Sequence, residues 1–421
     1  MEPIKRISLM LLISLTFWAC EDKVKREVSY MANVPVYMSR EDFKSAVKKT
    51  SQEEIKEPGK IYIKDQYLYI NEVKKGIHVI DNSNPASPEY VCFINIPGNV
   101  DMAIKGNLLY ADSYIDLVVI YIADPKNPEE VDRYANAFPN IYPVFDFTYP
   151  MANIDPEKGI VIGWKVEQVT VEEEYFNQHY NWRYYMLEDM AVNPAANKGG
   201  IGISGSMARF AISNDVLYAI NNGYELKIFN ISNDKIEKQD SITTFWNIET
   251  LFIDNNHLFI GSNNGMFIYN IQNAHKPEYV SQYNHVTSCD PVVVSGDYAF
   301  ITLRSGTNCR NTINELNVVS LKDIQNPVLV KAYQLFNPHG LGIDNYLLFI
   351  CDGDDGLKIY DASDVTKIDE NMIKHFGDIK TFDVIPYNNI LIMTGMGGIY
   401  QYDYSDIQNI KEISHISIQS K

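Results

Sequence analysis

One short phrase recurs along the chain: an apolar-alternating run, a tight turn, and a second run closing near a glycine. Copies open near Ile61, Asp101, Met151, Arg209, Glu249, Pro291, Leu341 and Phe382. They stand roughly 40–60 residues apart, the period of a unit of several strands that must stack on its neighbours to bury an apolar face. In the first copy Ile61-Tyr62-Ile63 alternates, Lys64-Asp65-Gln66 turns, and Tyr67-Leu68-Tyr69-Ile70 returns. Lys75-Gly76 turns again, Ile77-His78-Val79-Ile80 makes a third strand, and Glu89 to Ile94 a fourth. Period-two runs rich in Ile, Val and Tyr between Gly, Asn, Asp and Pro are strand-and-turn signals. The pattern predicts an all-β fold, a β-propeller of four-stranded blades.

The third strand returns as Leu117 to Ile120, Leu226 to Phe229, Met266 to Tyr269, Leu316 to Val319 and Leu357 to Tyr360. Pro88, Pro128, Pro277 and Pro327 close the loops that follow, where a residue without an N–H can open an outer strand. Between Phe138 and Ser206 only one hairpin is legible, Met151 to Ile154 with Ile160 to Trp164. Counted as a blade, which is the expected reading, it gives eight blades with the third degenerate. Counted as a decoration, it gives seven blades plus an inserted hairpin. In either case an insertion covers about residues 165–206.

The 421 residues are enough for one large propeller domain, expected over 58–421. A net charge of -18 argues against nucleic acid, whose phosphates call for Lys and Arg. Lys5 and Arg6 precede the apolar stretch Ile7 to Trp18, which is too short for a resident membrane helix. Ala19-Cys20 follows at once, and the segment resembles a bacterial lipoprotein signal over residues 1–20. Such a signal implies lipid on the Cys20 thiol and contact with the membrane through that lipid only. Residues 21–57 are polar and read as a tether. Ser39 with Asp42, Phe43 and Val47 predicts a short capped helix over about 40–56.

An exported protein can form disulfides. Cys289 sits just before an inner strand and Cys309 in the loop between second and third strands of the same copy. Up-and-down strand order brings both to one end, so a Cys289–Cys309 bridge is expected. Cys92 and Cys351 lie on strands and read as buried small hydrophobes.

The same order gathers one candidate ligand face. His339 starts an inner strand, and Asp352, Asp354 and Asp355 lie in the following second-to-third-strand loop. Carboxylates at this spacing could hold Ca²⁺ through oxygens, or serve an Asp-Gly hairpin turn. Arg304 and Arg310 flank Gly306 in the matching loop of the preceding copy and could take a carboxylate or pair with local acids. These groups are expected at the surface. Tyr175 to Tyr185 is an aromatic run that could stack on sugar or protein, or cover the worn copy. Gly200, Gly202 and Gly205 match a dinucleotide fingerprint by letter. They lack the βαβ setting that motif needs, and read as the return from the insertion. No metal-ligand motif or catalytic set emerges.

Taken together, the third strands, Pro58-Gly59-Lys60-Ile61-Tyr62, Pro338-His339-Gly340-Leu341-Gly342-Ile343, and Cys351 to Tyr360 resemble the LVIVD-repeat lipoproteins of the Bacteroides group. The resemblance covers the mature chain from about Asn33 onward. It implies a propeller on the cell envelope, on the outer membrane, and brings no established reaction. The expectation is a non-catalytic binding module for a protein or glycan partner. The alternative is a glycan hydrolase or lyase at the channel mouth using His339 and nearby acids.

Overall fold

The computed structural model describes residues 26–139, 141–177, 206–244, 247–285, 291–305 and 313–418. Cys20, Cys289, Cys309, Arg310 and residues 178–185 of the aromatic run lie outside them, as do Gly200, Gly202 and Gly205. No helix among the described residues is long and apolar enough to cross a membrane. The chain divides into two compact units.

The larger unit is a seven-bladed β-propeller. Blade 1 runs outward through Pro58–Lys64, Tyr67–Glu72, Gly76–Asp81 and Glu89–Asn95. Innermost and outermost strands of the others are Met102–Lys105 and Glu129–Tyr134 (blade 2), Phe210–Ser213 and Glu237–Thr243 (blade 3), and Ile248–Asp254 and Glu278–Asn284 (blade 4). Blade 5 spans Val292–Ser295 to Val328–Gln334, blade 6 Leu341–Asp344 to Met372–Phe376, and blade 7 Thr381–Tyr387 to Lys411–Ser417. All blades are antiparallel and built from consecutive strands.

The repeat has a local cause. Each inner strand turns through two residues whose first has positive φ: Asp65, Gly106, Asn214, Asn255, Gly296, Asn345 and Asn388. Asp, Asn and Gly tolerate that conformation, and the resulting hairpin twist suits paired strands. The glycine that opens the third strand has a packing role. A Cβ on Gly76 would stand 2.0 Å from the Ile94 carbonyl oxygen, and one on Gly398 2.1 Å from that of Ile416. Third strands then end on a side chain that caps the loop, as Asp81 Oδ1 accepts from Ser83 N at 2.9 Å and Asp403 Oδ1 from Ser405 N at 2.9 Å.

An eighth blade is not present, and the alternative of seven is the observed count. Blades 2 and 3 pack directly on each other through Ala103, Leu108, Leu117 and Val119 against Phe210, Leu217, Ala219 and Phe229. No space remains for a blade between them. The hairpin expected there does not form. Ile160–Glu172 pairs instead with Glu27–Met38, and Met151 bridges to Asn33. An alternating run shows that a strand exists but not which edge it pairs with.

The capped helix is shorter than expected. Glu27–Met38 is a strand, the helix spans only Arg40–Ser45, and Lys48–Thr50 is a fifth strand on the outer edge of blade 1. The cap is the one anticipated: Ser39 Oγ accepts from Asp42 N at 3.0 Å. The helix stops because Lys48, Lys49 and Thr50 pair with Asn95, Ile94 and Phe93, covering an edge that would otherwise be open.

The ring closes without exchanging strands. Ile61, Leu68, Ile70 and Ile80 of blade 1 pack against Ile385, Ile392 and Ile399 of blade 7. Beside them Asn82 Nδ2 donates to Gln401 Oε1 at 2.9 Å, and Gln401 Nε2 donates to Asn82 Oδ1 at 2.7 Å.

The smaller unit takes in residues 26–35, 145–154 and 164–177 of the described chain. Asn33, 1% exposed, is its hub. Its backbone N–H donates to Pro150 O at 2.8 Å and its carbonyl accepts from Ala152 N at 2.9 Å. Its side-chain amide donates to Asp146 O at 2.8 Å and Tyr149 O at 2.7 Å. Phe176 packs on Tyr30, and Phe145 on Phe147 and Trp164.

Candidate functional site

Inner strands of a propeller run the same way, so their starts share one end. Counting back five residues from each inner turn gives Lys60, Asp101, Arg209, Thr250, Pro291, Gly340 and Asp383 around the ring. Four neighbouring blades, in the order 7, 1, 2, 3, thus place Asp, Lys, Asp and Arg side by side. Lys60 Nζ lies 3.7 Å from Asp101 Oδ2. That oxygen also accepts from Arg209 N at 2.6 Å and Phe210 N at 3.2 Å, tying blade 2 to blade 3. Asp112 Oδ1 accepts from Val100 N and Asp101 N at 2.8 Å each. Loss of hydration pushes Asp112 up to about 6, while the two N–H donors pull the other way.

Ser206 crosses to the far side of this layer. Its hydroxyl donates to Asp383 Oδ1 at 3.3 Å and accepts from Leu341 N at 2.9 Å. Asp383 is 1% exposed, and its Oδ2 has no hydrogen-bond partner among the described residues. Burial holds this carboxyl well above the usual carboxylate range, against the pull of Val384 N–H, Lys60 and Ser206. Burial depresses the Lys60 ammonium, and Asp101 opposes it.

The residues singled out from sequence behave differently from surface ligands. His339 and Arg304 are brought together, but both are buried, 6% and 8% exposed. Arg304 Nη1 lies 2.5 Å from His339 Nδ1 and 3.1 Å from Nε2. A guanidinium only donates, so the imidazole must accept. Burial, then the charges of Arg304 and Lys380, lower His339 to about 3, so it is neutral near pH 7. Thr302 Oγ1 donates to the His339 carbonyl at 2.6 Å, locking blade 5 to blade 6.

Asp352 is fully buried. Its oxygens accept from Phe336 N and Asn337 N and from Lys358 Nζ at 2.6 Å. Asp354 pairs with Lys380 at 2.9 Å. Asp355 pairs with Lys358 at 2.5 Å and lies 3.6 Å from His375. The Ca²⁺ reading therefore meets three carboxylates already held by ammonium groups. No cluster of three or more His, Cys, Asp or Glu positioned for a metal occurs among the described residues. Cys92 and Cys351 are free and buried.

Sequence reasoning missed Lys60, Asp383 and Ser206, and took Asp101 only as the start of a copy. Aligning the copies on their turns rather than on their apolar runs would have put the charged positions in register.

Residues 59–94, 98–136 and 288–306 match the LVIVD repeat. The chain carries LVIVD repeats. Their matched segments fall on blade 1, blade 2 and the start of blade 5. The periplasmic gluconolactonase PpgL of Pseudomonas aeruginosa superposes with a TM-score of 0.54 at 9% identity, over 86% of this chain and 95% of that one. The computationally designed Ika8 protein superposes with a TM-score of 0.51 at 10% identity, over 89% of this chain and 94% of that one. At such identities the likeness is one of fold. No curated protein sequence matches the chain.

Proposed function

We propose that the protein is an envelope-anchored, non-catalytic propeller that binds a partner, and that this partner is a protein. One observation carries the non-catalytic reading: the His339 imidazole and the Asp352 carboxylate, the acid and base singled out at this end of the ring, are engaged inside the fold. Asp352 is spent on two backbone amides and Lys358, and neutral His339 accepts from Arg304. A hydrolase or lyase built on them would need a group free to exchange a proton with its substrate.

A protein is favoured over a glycan by the outer rim. Equivalent positions on the outermost strands of blades 4, 5 and 6 carry Tyr279, Leu329 and Met372, which are 55%, 47% and 46% exposed. Blades 2, 3 and 7 carry Glu130, Lys238 and Glu412 at the same level. Three adjacent apolar rims rather than charged ones suit a protein interface.

Envelope anchoring rests on Lys5, Arg6, the stretch Ile7 to Trp18 and Cys20. Cys20→Ser should abolish incorporation of labelled palmitate; label retained in that variant rejects the anchor. A photo-crosslinker at position 329 should trap a discrete envelope protein, and Tyr279→Lys with Met372→Lys should remove that band. Release of reducing ends or unsaturated uronates from envelope polysaccharide by the pure protein would replace binding with catalysis.

A further inference from the structure

The propeller axis contains a cavity of about 340 Å³, walled by Tyr62, Phe252, Val293, Ile343, Ile385 and Tyr387. It follows the inner strands from the Ser206 level toward the two-residue turns, away from the His339 end. Its volume is at the lower end of pockets that take small molecules, and apolar walls with a few polar groups are the usual make-up of such pockets.

The polar group at its floor is Ser206. A hydroxyl has one hydrogen and two lone pairs. The hydrogen goes to Asp383 Oδ1 and one lone pair takes Leu341 N–H. Among the described residues one lone pair is left to accept from a donor, and Asp383 Oδ2, next to it, is buried without a partner. The Tyr62 hydroxyl donates toward blade 2, to the Ile104 carbonyl at 3.2 Å. A charged ligand head is unsuited to this floor. Asp383 and Asp101 oppose an anion, while Lys60 and Arg209 oppose a cation.

We propose that the axial cavity binds a small uncharged aromatic molecule bearing one hydroxyl, its ring among Tyr62, Phe252 and Tyr387 and its hydroxyl donating to Ser206. This site is independent of the partner surface on the outer rim. It makes the propeller a receptor for a small molecule as well as a docking body.

The test compares 2-naphthol with 2-methylnaphthalene, its near-isostere without the hydroxyl, by titration calorimetry on the purified full chain. 2-Naphthol should saturate at one per chain and bind roughly tenfold tighter than 2-methylnaphthalene. Ser206→Ala should remove that tenfold preference and leave 2-methylnaphthalene unchanged. Ile343→Trp, which fills the cavity from its wall, should abolish binding of both. Should Ser206→Ala fail to fold by circular dichroism, the two-probe comparison on the wild type and Ile343→Trp still decide the matter. Absence of saturable binding, equal affinity for the two probes, or binding that survives Ile343→Trp overturns the proposal.

Discussion

Asp383 of blade 7 occupies the space that a side chain on Gly340 of blade 6 would need: a Cβ built there would stand 1.8 Å from Asp383 Oδ1 and 2.6 Å from its Cγ. Two residues on, a Cβ on Gly342 would stand 2.6 Å from Pro386 Cδ. The phrase His339-Gly340-Leu341-Gly342 therefore lets the inner strand of blade 7 press against that of blade 6. The contact sets the position of Asp383, and through it the hydrogen bond from Ser206.

Gly340→Ala should destabilise by about 2–4 kcal/mol, since a buried carboxyl and backbone must shift together. Asp383→Ala removes the obstructing atoms, so adding it to Gly340→Ala should cost less than the sum of the two single changes. Denaturant unfolding of the four proteins measures this coupling. Strict additivity would mean that the close approach does not limit position 340.

The Asn82–Gln401 pair gives the next expectation. Each amide donates to the other across the junction between the first and last blades, and Gln401 is fully buried. Removing one partner leaves a buried amide unsatisfied, a loss of about 1–3 kcal/mol. Asn82→Ala and Gln401→Ala should each show that loss. Their double variant should lose little more than either alone. Two full, independent losses would show that the pair does not act as a seam.

Much of this architecture was legible because turn chemistry is local. Asp65, Asn214, Asn255, Asn345 and Asn388 announce their hairpins by residue type, and period-two runs announce the strands they join. Partner choice was not legible. Ile160 to Trp164 alternates like a blade strand, yet pairs with Glu27–Met38, because alternation is the same whichever edge a strand meets. The site was half legible. Strand order brought His339 and Arg304 to one end, but neighbouring blades bury both, and burial depends on contacts far apart in the chain. Nothing in the sequence marks Lys60, Asp101 and Asp383 as a group until the ring sets them side by side.

Glu72 offers a test of how the segment before blade 1 is held. Its buried carboxylate accepts from Lys56 N and Glu57 N at 3.0 Å each, and from Lys75 Nζ and His78 Nε2 at 3.2 Å. Desolvation raises this carboxyl, but the His78, Lys56, Glu57 and Lys75 bonds outweigh it and bring it to about 2. The depressed value gives stability that is complete above the unfolded pKa near 4.5 and lost as pH falls through 2, on the order of 3 kcal/mol. Glu72→Gln should remove that acid dependence. It should also speed hydrogen exchange at the Lys56 and Glu57 amides, which would lose a charged acceptor. Unchanged exchange at those amides would place their protection elsewhere.

His339 titrates in a separate window. The folded protein keeps its imidazole neutral down to about 3 because burial and the charges of Arg304 and Lys380 oppose a proton. The unfolded chain takes that proton near pH 6.5. Stability from this residue is therefore complete above pH 6.5 and declines as pH falls toward 3, by at most about 1.4 kcal/mol per pH unit. Asp112 works in the opposite sense. Held up to about 6, it stays protonated in the folded state and adds stability as pH falls toward the ordinary carboxylate range. A wild-type curve alone mixes these contributions. His339→Gln keeps an acceptor for Arg304 and removes the titration, so the comparison isolates the histidine. Between pH 6.5 and 4.5 the wild type should lose about 2–3 kcal/mol more than the Gln variant, read from urea unfolding at each pH. Parallel curves would mean that His339 is protonated in the folded protein and that Arg304 does not lie against it.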